Sequence, residues 1–216
     1  MPHRPSDEVE IPAGMSPDAV TTWPPRELID SFLGTYDTGL WPGEAGSVPL
    51  DDPVAVAAAR EFRDTLGRFC SGVTVVTSVA GGEPVGLTCQ SFSSVSLDPP
   101  LVMFVPAKTS RAWPLIRRAG FFCVNFLAEG QQELSNTFAT RGADKFAGVA
   151  WTTSQTGAPV LDGVVGHVDC TIHAVHEAGD HYVVIGRVQA LSVGADAGPL
   201  LFYRGGYHRT DPPFER

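Results

Sequence analysis

Residues 86–110 read GLTCQSFSSVSLDPPLVMFVPAKTS. In this short span a small polar cluster is followed by an Asp-Pro-Pro corner, an apolar strand and a Lys-Thr-Ser run. Strand alternation puts Thr88, Gln90 and Phe92 on one face and Cys89 and Ser91 on the other. So polar a run is unusual for a core strand. Either it is a half-exposed or edge strand, or it offers amide and hydroxyl groups to the polar rim of a heteroaromatic ring, with Phe92 for apolar contact. Asp98, Pro99 and Pro100 make a stiff, low-entropy corner, whose stiffness is its whole role or which also walls a site. The next strand ends at Val105, and Ser110 is placed as the N-cap of a helix running to Ala119. Lys108, Thr109 and the free N–H groups of that helix start suit an anion such as phosphate. An ordinary capped helix with a surface lysine is the simpler local reading. The order of these parts suits a site that holds a planar ring at one end and an anion at the other.

Working outward, strands dominate. Val73–Val79, Val85–Phe92, Leu101–Val105, Phe121–Leu127, Val164–His176, Tyr182–Leu191 and Leu200–Tyr203 are β-rich, with a turn signal at Ala80–Pro84. Helices are expected at Pro53–Phe69, Ser110–Ala119 and Glu129–Phe138. In the first, Val56, Ala59, Phe62, Leu66 and Phe69 form one apolar stripe. Hairpin-connected strands with few helices predict an antiparallel barrel with peripheral helices rather than a doubly wound sheet. Neither GxGxxG nor GxxxxGK[ST] occurs.

The chain has 216 residues, net charge −9 and a hydrophobic fraction of 43%. This is an ordinary soluble composition, with no apolar run long enough to span a bilayer and no signal-peptide pattern. The expectation is a cytoplasmic protein without a membrane role. The acidic balance argues against general nucleic-acid binding. Four scattered cysteines without a CxxC pair read as reduced core thiols, and no metal site is expected. The charge is uneven: residues 1–52 hold ten acidic side chains and two arginines, and nine of the 18 prolines lie in residues 1–53. Three regions follow: an acidic, proline-rich leader (1–53), a nearly neutral core (54–210) and a short tail (211–216). In the leader, Leu28, Ile29, Phe32 and Leu33 form the apolar face of a short helix expected to dock on the barrel or across a dimer. Lys108 and Lys145 are the only lysines.

Other candidates lie downstream. Asn125 interrupts an apolar run, so its amide either pairs with backbone or faces a ligand. Arg141 could reach a phosphate and Phe146 could cover a ring, or both sit in a solvated loop. His173 and His176 form HxxH, but an offset of three on a strand separates their faces, which discounts a metal. His181 follows Gly179-Asp180 at a hairpin turn, either exposed or projecting over a pocket. Gly205-Gly206-Tyr207-His208 permits close backbone approach and ring stacking, or is a surface loop. No Ser/His/Asp order, nucleophile elbow or carboxylate pair stands out, which fits chemistry carried by a cofactor.

Seven segments resemble, in order, the short-chain flavin reductases that serve flavin-dependent monooxygenases and halogenases. They are FRDTLGRFCSGVTVVTS (62–78), PVGLTCQSFSSVSLDPPLVMF (84–104), KTSRAWPLIRRAG (108–120), FCVNFLAEGQQELSNTFA (122–139), DKFAGV (144–149), AGDHYVVIGRV (178–188) and PLLFYRGGYHR (199–209). The resemblance implies a Greek-key-like, flavin-binding split β-barrel, usually homodimeric. It implies hydride transfer from NADH to FAD or FMN, with reduced flavin released to a separate oxygenase. It places Thr88, Cys89, Gln90, Ser91 and Phe92 along the flavin ring and ribityl chain, and Asp98 and Pro99 at the wall. Lys108, Thr109 and Ser110 fall at phosphate, with Asn125, Arg141 and Phe146 completing the flavin site. His181, Tyr207 and His208 fall at the nicotinamide nucleotide, and no side chain serves as a catalytic acid or nucleophile. Many relatives have Ala-Asn where this chain has Cys89-Gln90. The competing readings are an oxidase of the pyridoxamine-phosphate type and a non-enzymatic flavin- or haem-binding module.

Overall fold

The computed structural model describes residues 52–140 and 144–210. The expectations for the leader, for Arg141 and for the tail lie outside these residues.

The chain enters on helix α1 (Pro53–Leu66). The Asp52 carboxylate accepts from the Val54 and Ala55 amides, and proline at the first turn needs no donor partner. Twelve strands follow: β1 (Ser71–Gly72), β2 (Thr74–Ala80), β3 (Glu83–Cys89), β4 (Ser93–Leu97), β5 (Pro100–Phe104), β6 (Phe121–Phe126), β7 (Trp151–Thr153), β8 (Pro159–Leu161), β9 (Gly166–Ala178), β10 (His181–Val193), β11 (Leu201–Tyr203) and β12 (Gly206–His208). Two more helices interrupt them: α2 (Trp113–Ala119), closed by Gly120 in the left-handed region, and α3 (Gln132–Ala139).

Seven strands form one antiparallel sheet in the order β3-β2-β6-β9-β10-β5-β4. The hairpins β2-β3, β4-β5 and β9-β10 are local, whereas β2-β6 and β5-β10 join segments far apart in sequence. Val76, Leu87, Val102, Phe104, Phe122, Val124, Val168, Cys170 and Val184 converge on a single core, closed by Trp113 and Ile116 of α2. A sheet whose strands from both halves reach the same core is wrapped on itself, as a split barrel requires. Strand β2 is buried on both faces, because Val75, with Val73 just before the strand, enters a second core with Leu127, Phe138, Leu161 and Leu200. The mainly β, antiparallel expectation holds.

Three local expectations change. First, α1 is amphipathic, yet none of its residues is buried, and Phe62, Leu66 and the following Phe69 are 64%, 55% and 81% exposed. The stripe is there, but the barrel does not cover it. Second, α2 begins at Trp113, three residues after Ser110, and its N-cap is Ala112. Third, β4 and the β7-β8 hairpin were missed, because β4 is a serine-rich edge strand and the other two are three residues long.

The two histidines of HxxH do not follow simple strand alternation. The β9-β10 register shifts so that Ile172 pairs with Gly186 and Ala174 with Ile185, leaving His173 in a bulge. The bulge resets alternation, and Ile172 and Val175 both pack on the barrel core despite their offset of three. His173 and His176 are both exposed. Among the described residues no cluster of three metal-ligating side chains occurs, and no helix is long and apolar enough to cross a membrane.

Cys89, Cys123 and Cys170 are buried, and Cys70 is exposed. Burial raises the Cys123 thiol well above its ordinary range, and burial followed by the Asp169 charge raises Cys170 to about 12. The thiolate is the reactive form. Cys123 and Cys170 are therefore expected to react with an aromatic disulfide reagent at pH 8 only after denaturant. Two fast thiols from β6 and β9 would contradict the packing. The raised values also set a sign: the unfolded chain ionises these thiols above about pH 9 while the folded one retains the protons, so their contribution to stability fades as pH climbs from there toward 12.

Candidate functional site

The last turn of β3 and the segment after it leave the sheet just where the sequence becomes polar. Thr88, Cys89, Gln90 and Ser91 line one cavity of about 940 Å³. Thr88 Oγ1 donates to the Ser135 carbonyl of α3 at 2.6 Å, which fixes the strand end against the helix. Cys89 Sγ and Ser91 Oγ are 3.2 Å apart, on a common side as alternation requires. Ser91 Oγ also bridges the backbone of Val105, donating to its carbonyl and accepting from its amide, both at 3.2 Å. Gln90 is exposed and makes no side-chain hydrogen bond to a described residue.

A second wall comes from the segment between β5 and α2. Thr109, Ser110, Arg111, Ala112 and Leu115 line the cavity. Ser110 Oγ accepts from the Trp113 amide at 3.2 Å, so the hydroxyl does serve the helix start, from further upstream than an N-cap would. Thr109 and Arg111 make no side-chain hydrogen bond or ion pair to a described residue. They are the uncommitted donors at this end. The sequence reading overlooked Arg111, although it sits beside the Lys-Thr-Ser run it singled out.

Lys108 is placed differently from expectation. Its Nζ donates to Glu177 Oε2 at 2.8 Å and sits 5.6 Å from the centre of the Tyr182 ring. The Glu177 hydrogen bond raises its pKa. It does not line the cavity. The reason is topological: the Lys108 amide donates to the Asp180 carbonyl and Ala107 bridges His181, which sets the side chain against the β9-β10 hairpin.

The hairpin turn brings in His181. Its Nδ1 lies 2.6 Å from Asp180 Oδ1, a contact that holds the Asp180 carboxyl below its ordinary range. With Nδ1 engaged, Nε2 is the free ring nitrogen of a side chain that lines the cavity. The aromatic wall is Phe138, Phe146, Phe202 and Tyr207. Phe146 packs edge-on against Phe138, with ring centres 5.0 Å apart. Tyr207 Oη is held by Ser135 Oγ at 2.9 Å and donates to Asn136 Oδ1 at 3.0 Å. Phe138 lies so close to β3 that a side-chain carbon at Gly86 would come within 2.6 Å of its ring.

Five further candidate residues lie away from this cavity. Asn125 is fully buried and spent inside the protein: Nδ2 donates to Val75 O and Thr77 Oγ1, and Oδ1 accepts from the Leu161 amide. This is the backbone-pairing reading. Asp98 and Pro99 form the exposed β4-β5 turn. Phe92 packs on Phe126, 5.1 Å between ring centres, and lines a separate groove. His208 contacts the Tyr203 carbonyl at 3.2 Å.

Lys145, by contrast, lines the cavity and was given no role from sequence. Its place in the Asp-Lys-Phe segment and the scarcity of lysine were the available signals.

Comparison with known proteins identifies the family. A family model described as "Flavin reductase like domain" matches residues 66–211, which include every cavity-lining residue named above. The chain is 52% identical over 164 residues to the HsaB reductase subunit of a flavin-dependent monooxygenase from Rhodococcus jostii, covering 75% of this chain and 84% of the relative. The solved nitrilotriacetate monooxygenase component B from Mycobacterium thermoresistibile superposes with a TM-score of 0.71 at 52% identity, covering 73% of this chain and 89% of that one. The NADH:FAD oxidoreductase SgcE6 of Streptomyces globisporus, solved with NAD and FAD fragments, gives 0.68 at 36% identity, covering 76% and 98%. Fold, domain match and close relatives converge, and the chain belongs to the flavin reductase family.

Proposed function

We propose that this chain is an NADH-dependent flavin reductase that passes reduced FAD or FMN to a separate flavin-dependent oxygenase. The observation that carries the reading is one cavity that gathers Gln90, Thr109 and Arg111, whose side chains make no hydrogen bond or ion pair to a described residue, with an aromatic wall and His181. A volume of about 940 Å³ sits at the upper end for one small-molecule site, which suits a flavin and a nicotinamide ring together. The named relatives include an FMN reductase (NADH) and an NADH:FAD oxidoreductase.

When bound, the flavin supplies the hydride acceptor and NADH the donor. Overall, NADH would be oxidised to NAD⁺ and the flavin reduced, the hydride carrying both electrons and solvent supplying the balancing proton. The chain's part is orientation and exclusion of water. Thr88, Cys89 and Ser91 set the wall beside the ring. Thr109 and Arg111 receive the flavin phosphate, Phe146 covers the flavin ring, and His181 and Tyr207 face the nicotinamide nucleotide.

Stopped-flow mixing of the protein, flavin and excess NADH tests the reading. Rapid loss of the oxidised flavin's visible absorption is expected, with flavin exchanging freely. His181→Ala should raise the KM for NADH about five- to tenfold, the worth of one hydrogen bond, with flavin affinity nearly unchanged. A tightly retained flavin that NADH fails to bleach would sink the assignment.

The chain is further proposed to act as a homodimer through α1. The exposed face of Leu66 and Phe69 continues into an apolar groove of about 730 Å³ with Phe92, Met103 and Phe126. Gln90 and Ser91 line both this groove and the cavity, so a second copy seated there would border the flavin site.

A further inference from the structure

The two lysines differ in how their charge is met. Lys108 has a carboxylate partner. Lys145 has none among the described residues. Its Nζ instead donates to two backbone carbonyls, Phe138 O at 2.7 Å and Gly86 O at 3.1 Å. The first belongs to the last turn of α3, the second to β3. An ammonium has three donors, so one N–H remains. The side chain is partly buried, and it lines the cavity beside Phe138 and Phe146.

Two carbonyls orient an ammonium but do not neutralise it. A partly desolvated cation without a counter-charge favours an incoming anion. Burial lowers the pKa of Lys145, which is what a missing counter-charge leaves behind. Its preset geometry also means that little side-chain entropy is lost when a ligand arrives. The cavity therefore carries cations from two separate segments, Arg111 before α2 and Lys145 in the loop after α3, while Asp144, a carboxylate in the same lining, accepts from the Phe146 amide and makes no ion pair with Lys145.

From this we infer that Lys145 is a second anion-binding residue of the cavity, which receives a phosphate oxygen of a bound nucleotide with its third N–H. The inference rests on the cavity being the nucleotide site proposed above. The phosphate could come from the diphosphate of NADH or from the phosphate of the flavin. The chemistry is the same, and the substrates separate the two sources.

The test uses Lys145→Met, which keeps the length and removes the charge, and Lys145→Arg, which keeps the charge. For each, kcat/KM is measured with NADH or phosphate-free reduced nicotinamide riboside as donor, and with FMN or phosphate-free riboflavin as acceptor. A charge-assisted hydrogen bond corresponds to a change of about tenfold or more. The Lys145→Met penalty is expected to be at least about tenfold larger with the phosphate-bearing member of one pair than with its phosphate-free counterpart. It should appear in KM rather than kcat, and Lys145→Arg should recover most of it. A penalty that follows the donor assigns the residue to NADH; one that follows the acceptor assigns it to flavin. Equal penalties in all four combinations would overturn the inference and reduce Lys145 to a clamp between α3 and β3, and so would no penalty in any. Calorimetric titration with inorganic pyrophosphate gives a readout independent of turnover. Wild type should bind it, and Lys145→Met should bind it about tenfold more weakly or not at all. Equal binding by both proteins would also overturn the inference. Absence of flavin reduction in wild type, with this pyrophosphate difference intact, would instead fault the functional assignment.

Discussion

Replacing Asn125 with alanine is expected to destabilise the domain by about 3–4 kcal/mol while leaving flavin affinity of the folded protein close to wild type. The residue sits on β6 with its side chain toward the β7-β8 hairpin. It ties β2, through Val75 O and Thr77 Oγ1, to β8, through the Leu161 amide. Truncation leaves a buried amide without an acceptor and opens a cavity in the second core, and each loss adds to the other. Thermal unfolding should move down by roughly 6–16 °C for a domain of this size. Urea titration gives the same quantity independently. Suppose instead that stability changes by less than about 1 kcal/mol and flavin binding weakens tenfold. Asn125 would then face the ligand and would not tie β2 to β8.

The second large effect concerns assembly. Leu66→Asp together with Phe69→Asp should convert a species of about twice the 23.0 kDa chain mass into one of about that mass. Helix α1 holds its place by its cap and its ends, with no buried side chain of its own. An amphipathic helix in that state has its apolar face available for another surface. Burying two large apolar side chains in each copy contributes on the order of 3–6 kcal/mol per subunit, enough to shift a dimer constant by hundredfold or more. Because both residues are exposed in one chain, the substitutions should leave the barrel folded, as near-ultraviolet circular dichroism can check. Light scattering that gives one chain mass for the unmodified protein, or an unchanged dimer for the variant, would remove α1 from the interface.

Alternation and turn chemistry were enough to place most of the strands. The β2-β3 hairpin was legible because Gly81 and Gly82 take positive φ between two β-rich runs, a requirement written directly into local sequence. The β9-β10 pair was legible for the same reason at Gly179. The polar end of β3, with Thr, Cys, Gln and Ser in succession, marked a candidate site, though local sequence left an edge strand equally open. Gln90, Thr109 and Tyr207 could therefore be singled out as site candidates before any geometry was known.

Direction across a distance was a different matter. Lys108 and Lys145 are both lysines in loops that follow apolar segments, and nothing local says which meets a carboxylate and which meets the cavity. Glu177 settles the first, and it lies 69 residues away. Gly86 O settles the second from 59 residues away. Asn125 is alike: its partners are 34 to 50 residues distant, so the choice between ligand and backbone was made by how β8 packs on β6. Helix α1 shows the converse. Periodicity correctly made it amphipathic, but a stripe specifies only that some surface must cover it, and the barrel core was already filled by Trp113 and Ile116 of α2. Local sequence thus determined the elements and the polarity of their faces, because those follow from backbone period and side-chain type. Tertiary structure decided which polar groups were spent inside the protein and which were left for a ligand, because hydrogen bonds and ion pairs are short-ranged and their partners came from strands remote in sequence.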